Sequence, residues 1–243
     1  MDGGTLQASI LQFFDYQVII DNWQLYLSGV FVTLQLTALS LILGFVLAVP
    51  MSIMLTSRKP WVWMPVWLYV YCFRGTPLLI QLFLLYYGAG QFAFIREGFL
   101  WPFLREAWFC AIIAMGLNTA AYQAEIFRGA IATTPRGEIE AARAFGMSPF
   151  RLYSRIILPS SFRRALPAYV NEVIFSLQST SLASLVTLID ITGAARIVNS
   201  RYYTPYEAFL SAAVLYLVIT FVIIWLAGGL ERRWNVHLAR PTS

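Results

Sequence analysis

The chain has 243 residues, of which 59% are hydrophobic and 12% charged, with a formal net charge of +5. A soluble domain usually carries about 25% charged residues, and the stretches 23–57, 107–124 and 208–230 hold none at all. This excludes a soluble globular fold, and with His237 as the sole histidine it leaves no His-based catalytic or metal cluster.

Residues 1–22 read as an external, weakly amphipathic lead-in, and the absence of a basic residue before Arg58 does not fit a cleaved signal peptide. A bilayer core about 30 Å thick needs roughly 20 mainly apolar residues per spanning helix. By that measure the first span runs over about 24–50, up to Pro50, and the turn Ser57-Arg58-Lys59-Pro60 follows. Residues 61–73, with Trp61, Trp63, Trp67, Tyr69 and Tyr71, have the aromatic character of a membrane interface. Arg74-Gly75-Thr76-Pro77 breaks the pattern, and a second span is expected over about 77–95. An outer loop takes 96–106, a third span about 107–127, and an inner loop 128–164. A fourth span over about 165–189, an outer loop over 190–206 and a fifth span over about 207–229 complete an all-α membrane protein of about five transmembrane helices. The permease domain is thus 23–230 and the tail 231–243. Cys72 and Cys110 lie in apolar runs and read as small core residues rather than a disulfide or metal pair.

The distribution of charge argues against nucleic acid as a partner. Seven arginines fall in the inner loop, Arg58 and Lys59 follow span one, and Arg232, Arg233 and Arg240 follow span five. Positive charge collects on the cytoplasmic side, which puts the N-terminus outside (periplasmic) and the C-terminus in the cytoplasm, in agreement with an odd number of spans. Five spans without an internal repeat make a poor solute pathway alone, so a dimer is expected.

Within the inner loop, Thr134-Pro135 is a helix start with Thr as cap and Pro at the first helical position. A short helix rich in Ala follows from Glu138 to Phe145, and Gly146 fits its C-terminal stop. Ser148-Pro149 repeats the start signal, and a second helix is expected to run to Leu158 before Pro159. The small residues Ala141, Ala142 and Ala144 allow close approach of another backbone, which favours a docking surface over a solvated connector or a basic flap on anionic lipid.

The same residues carry a resemblance. Glu140-Ala141-Ala142, Gly146 four residues after Ala142, and Ile156-Ile157-Leu158-Pro159 resemble the EAA loop of ABC importer permeases. Phe73-Arg74-Gly75-Thr76-Pro77-Leu78, Leu117 to Tyr122 with Glu125-Ile126-Phe127, Asn171-Glu172-Val173-Ile174 and Glu231-Arg232-Arg233-Trp234 look like the polar amino acid branch of that family. They are most similar to the M-type permeases of histidine/lysine/arginine/ornithine and opine (octopine/nopaline) uptake. The resemblance implies the type I ABC importer permease (MetI-like) fold in the bacterial inner membrane, with a cytoplasmic two-helix coupling loop that docks on an ATPase subunit. It also implies partners: a second, homologous permease, as a heterodimer, two copies of the ATPase and a periplasmic solute-binding protein, all in membrane lipid. The chain itself needs no cofactor and is not an enzyme. A phosphate-binding loop requires Lys followed by Ser or Thr, and Lys59, the only lysine, precedes Pro60. ATP is therefore used by another chain.

Charges within apolar spans mark the candidate solute pathway, since each costs roughly 2.5–3.5 kcal/mol on insertion scales unless paired or hydrated. Glu172 has two open readings: a structural partner, for example of Arg74, or a contact to a cationic solute beside Asn171, Gln178, Ser179 and Thr180. Glu125, three residues from Arg128, and Arg74 read first as structural pairs, and Asn118 falls in the third span. A channel or secondary carrier would work without ATP or partners, and an intramembrane enzyme would need a Ser–His or Asp–Asp constellation that is missing here.

Overall fold

The computed structural model describes residues 16–234, and every regular element among them is helical. The tail beyond Trp234 and most of the lead-in fall outside the described residues; of the latter, Tyr16–Asp21 forms a short helix, α1. Helix α2 (Trp23–Leu55) is followed by α3 (Pro60–Gly75) and, after a break, by α4 (Leu78–Phe83) with wider and tighter turns to Gln91. Two one-turn helices, α5 (Ala93–Arg96) and α6 (Trp101–Leu104), lead to α7 (Ala107–Ala132). The loop helices α8 (Arg136–Ala144) and α9 (Pro149–Leu152) precede α10 (Leu158–Ser179), which tightens over Thr180–Val186. Helices α11 (Ile191–Tyr202) and α12 (Pro205–Trp234) end the described chain.

Helix α7 is the axis of the bundle, with α2, α3, α4 and α10 packed around it. Its buried residues, among them Ala111, Ala114, Gly116, Ala120, Ala121 and Ala124, are mostly small. Helices in lipid gain little from apolar burial alone, so close contact between small residues holds them together. The facing stripe of α2 is equally slim: Gly29, Thr33, Thr37, Ser40, Gly44, Ala48 and Ser52 are all buried. Rings from three helices close the loop-side half of this seam, with Phe45 of α2 and Phe162 of α10 at 5.6 and 5.2 Å from Phe127 of α7.

A second core joins the two ends of the chain. The Tyr26 hydroxyl donates to the Ala208 carbonyl at 3.0 Å, tying α2 to α12. Fully buried Asp190 caps α11, accepting from the backbone N–H groups of Gly193 (2.9 Å) and Thr192 (3.2 Å) and from the Tyr216 hydroxyl (2.9 Å). Gly29 lies against this cap so closely that a β-carbon would stand 2.8 Å from the Asp190 carbonyl oxygen.

Among the described residues, α2 and α12 alone are long and apolar enough to cross a bilayer, and two bent pairs raise the number to four. One pair is α3 with the Leu78–Gln91 segment, bent by 102° at the expected break; the other is Pro149–Val186 with α11, bent by 45°. Helix α7, the expected third span, is about 39 Å long at 1.5 Å per residue. Its Asn118, Thr119 and Gln123 face the interior, so lipid does not dictate an apolar surface there.

Several boundaries differ from the sequence reading. The first span continues through Pro50 to Leu55, because Ala48, Met51, Ser52, Ile53 and Leu55 are held by packing that outweighs one missing backbone bond. The expected outer loop 190–206 holds the twelve-residue helix α11. Cys110 is buried, but Cys72 is exposed on α3 rather than part of a core.

Candidate coupling loop and solute pathway

The inner loop is a folded unit. Ala142, Leu152 and Ile157 are buried with Ile131 from the end of α7, and Ile139, Met147, Tyr153, Ile156, Leu158 and Ile53 pack against them. Gly146 takes φ +71°, its N–H donates to the Arg143 carbonyl (2.9 Å), and the Met147 N–H donates to that of Ala142 (3.2 Å). These two bonds are the left-handed stop expected for glycine after a helix. Ser148 caps α9 by accepting from the Arg151 N–H, with Pro149 in the first turn. The first start signal is displaced, since Pro135 stands at the cap and Thr134 is buried elsewhere. Its hydroxyl accepts from Arg164 Nη2 at 2.8 Å, and the same nitrogen donates to the Ala130 carbonyl at 3.0 Å. A guanidinium at the C-terminal end of α7 suits the helix dipole and clamps the loop's two roots together.

The second loop helix does not stop at Leu158. It widens over Tyr153–Ile157 into i→i+5 turns and passes directly into α10, with Pro159 in the first turn. Proline lacks an N–H and clashes with the carbonyl four residues before it, and a wider turn relieves both problems without breaking the helix. Loop and membrane helix are therefore one continuous element. Of the signature residues, Ala142, Ile156 and Leu158 belong to the loop's own core, whereas Glu140, Ala141, Gly146 and Pro159 are exposed. Phe145 and Phe150, 86% and 80% exposed, project on either side of Gly146 and carry no part of the sequence signature.

The candidate pathway residues do not form one cluster. Glu172 is buried between α10 and α7, where its Oε1 accepts a hydrogen bond from Thr119 Oγ1. Asn171 and Gln178 are exposed on α10 and Ser179 is half-buried, so the seven-residue spacing of 172 and 179 does not carry Glu172 to the exposed side. Glu125 pairs with Arg128, its Oε2 accepting from Nε at 2.9 Å and Nη2 at 2.7 Å. The Arg74 guanidinium lies 5.1 Å above the Tyr122 ring, which contacts Phe175 of α10 at 5.9 Å.

Asn118 serves the break between α3 and α4. The Phe73 carbonyl has lost its helical partner because residue 77 is proline, and it accepts instead from Asn118 Nδ2 (3.2 Å) and Gln81 Nε2 (2.9 Å). Gln81 also donates to the Thr76 carbonyl and hydroxyl, at 3.1 and 2.7 Å, and accepts from Asn118 at 3.1 Å. Sequence reasoning missed Gln81, although a lone amide four residues after a membrane proline is a usable signal. Gln81→Leu removes all four bonds, and we expect it to destabilise the protein by about 1–3 kcal/mol, read as a lower melting temperature of the purified chain. An unchanged melting temperature would show that Asn118 alone holds the bend.

Residues 40–236 match the family described as the inner membrane component of binding-protein-dependent transport systems. The chain belongs to that family. It is 47% identical over 225 residues to the nopaline transport system permease protein NocM of Agrobacterium fabrum, covering 92% of this chain and 93% of that one. Identity to the histidine/lysine/arginine/ornithine transport system permease protein HisM of Escherichia coli K12 is also 47%, over 217 residues, 89% and 91% of the two chains. A solved amino acid ABC transporter crystallised with histidines matches with a TM-score of 0.79 and 30% identity, over 90% of this permease and 98% of that chain. A chain of the MetNI methionine ABC transporter shares the fold, with a TM-score of 0.71 and 21% identity over 87% of this chain and 97% of that one. The chain is thus a permease component of an inner-membrane ABC importer.

Proposed function

We propose that this permease carries a polar, basic amino acid or an opine, delivered by a periplasmic binding protein and driven by ATP hydrolysis on a separate subunit. The observation that carries the reading is the folded loop whose exposed tip, Phe145-Gly146 with Phe150, is rooted in the same helix that lines the bundle. Two exposed aromatic side chains with a glycine between them suit a groove on a partner, here an ATPase present in two copies. The names of NocM and HisM support the solute class. A second, homologous permease, as a heterodimer, completes the pathway. Asn171 and Gln178 are exposed on a membrane helix, and amides facing lipid are costly, so this side of α10, with Ser179, Arg74 and the Glu125–Arg128 pair, forms the pathway wall. Asn118 and Glu172 stand behind it. Twelve of the seventeen basic residues lie on the loop side or in the tail, which puts the C-terminus in the cytoplasm and the N-terminus in the periplasm.

The test is uptake into proteoliposomes by the complex co-expressed with its ATPase, sister permease and binding protein. Uptake of histidine, lysine, arginine, ornithine or an opine that requires ATP and all partners is the expected result. Uptake without ATP would replace the reading with a carrier or channel. Glu172→Gln keeps an acceptor for Thr119 and removes a charge behind the wall. We expect an assembled complex whose uptake of a basic amino acid falls about tenfold, or 1.4 kcal/mol. Loss of assembly would make Glu172 a structural partner only, and unchanged uptake would remove it from the pathway.

A further inference from the structure

We propose that the cleft beside the helix break reads the carboxylate of the transported solute, with Arg74 as the reading group. The inference rests on the permease reading above and deepens it by naming the part of the solute that is recognised. The cleft, about 690 Å³, is lined by Trp63, Trp67 and Tyr71 of α3, by Arg74 at its end, and by Glu125 and Arg128 of α7. Binding sites for small molecules have this size and this mixture of aromatic walls with a few polar groups.

The charges of the cleft do not balance. Glu125 is taken up by Arg128 through two hydrogen bonds to one oxygen, so that pair is neutral. Among the described residues Arg74 forms no ion pair. Its positive charge is the surplus, on a helix that lies in the apolar part of the protein, where an unpaired charge calls for an anionic partner.

Arg74 is also held in place. It ends α3, where the helix dipole favours a cation, and its guanidinium rests over the Tyr122 ring, itself braced by Phe175. A contact to a ring occupies none of the guanidinium's N–H groups as hydrogen-bond donors to oxygen, so they stay available for the two oxygens of a carboxylate.

The solute class follows. Amino acids and opines differ in their side groups and share a carboxylate beside an amine, so one cleft serves both. Decarboxylated amines and amino acid amides present no anion to Arg74.

The experiment uses the assembled permease and ATPase complex in phosphatidylcholine nanodiscs, without the binding protein, with radiolabelled arginine as the probe. Argininamide, which differs only at the carboxylate, is the competitor. We expect the wild type to prefer the acid over the amide at least tenfold, Arg74→Gln to reduce the preference to within twofold, and Arg74→Lys to keep part of it. Elution of each variant as the assembled complex controls for folding. An equal preference in Arg74→Gln and wild type, no preference in the wild type, or no saturable arginine binding would each overturn the proposal. Adding phosphatidylglycerol distinguishes a lipid headgroup from the solute. Arginine binding that persists supports the solute, and binding displaced by the lipid assigns the cleft to lipid and overturns it. ATP-dependent arginine uptake without an acid preference defeats this inference alone, whereas failure to import any amino acid or opine defeats the function on which it rests.

Discussion

Gly146→Asp abolishes solute uptake while the chain still inserts in the membrane. The structure separates two causes for that result. A β-carbon at position 146 meets nothing within 4 Å inside this chain, so no internal clash is available. What remains is the left-handed backbone at φ +71° and the surface presented between Phe145 and Phe150. An ordinary residue in the left-handed region costs roughly 1–2 kcal/mol, and Asn and Asp are the ones that tolerate it. Backbone strain therefore ranks uptake as Asn and Asp above Ala. A docking surface ranks it the other way, with Ala best, Asn intermediate and Asp inactive, because a carboxylate between two aromatic side chains must be stripped of water on docking. We expect the second order, measured as ATP-dependent uptake in membrane vesicles with equal amounts of inserted protein. The first order would mean that the glycine serves only the shape of the loop.

Gly29→Leu prevents accumulation of folded protein, and Gly29→Ala lowers its melting temperature. Any side chain there approaches the Asp190 carbonyl oxygen and carbon to 2.8 and 2.9 Å. Those atoms are backbone, and they are immobilised: the Asp190 side chain accepts three hydrogen bonds, and the Ala194 N–H donates to the same carbonyl oxygen at 2.8 Å. The Ile191 N–H is in turn held by Thr33 of α2. Overpacking costs typically 1–3 kcal/mol, and with no slack on either side we place Gly29→Ala at about 3 kcal/mol. Gly129→Ala is the control, since that helical glycine has nothing within 4 Å of its β-position and gains roughly 1 kcal/mol from helix propensity. Melting temperatures that move in the same direction for both would contradict the packing argument.

Punctuation by glycine, proline and serine was legible wherever local chemistry decides. Arg74 to Pro77 breaks the helix as expected, Gly146 ends α8, and Ser148 with Pro149 starts α9. Pro50 and Pro159 misled for one shared reason: a proline costs about 3 kcal/mol in a helix, and packing or a widened turn offsets that without any trace in sequence. Helix α11 was readable, because Asp190 as a cap precedes Ile191, Ala194, Ala195 and Val198 at helical spacing. Its Arg196, Asn199, Ser200 and Arg201 disguised it as a loop. Which side of α10 holds Glu172 was not readable, since helical spacing says which residues share a face but not what that face meets. Thr119, fifty-three residues away, decides it.

From Pro149 to Ser179 the chain is helical without interruption, its wider turn absorbing Pro159. Such a rod, about 46 Å at 1.5 Å per residue, joins the loop to the bundle, and its wider turn at Tyr153–Ile157 and the interior Pro167 are the two points where a helix bends most readily. Beyond its far end the tighter turns of Thr180–Val186 lead to Thr187, a β-branched residue held at φ +69°, where the chain turns into α11. A displacement of the loop would travel along one unbroken run of helix, and the left-handed Thr187 marks where the backbone direction changes next.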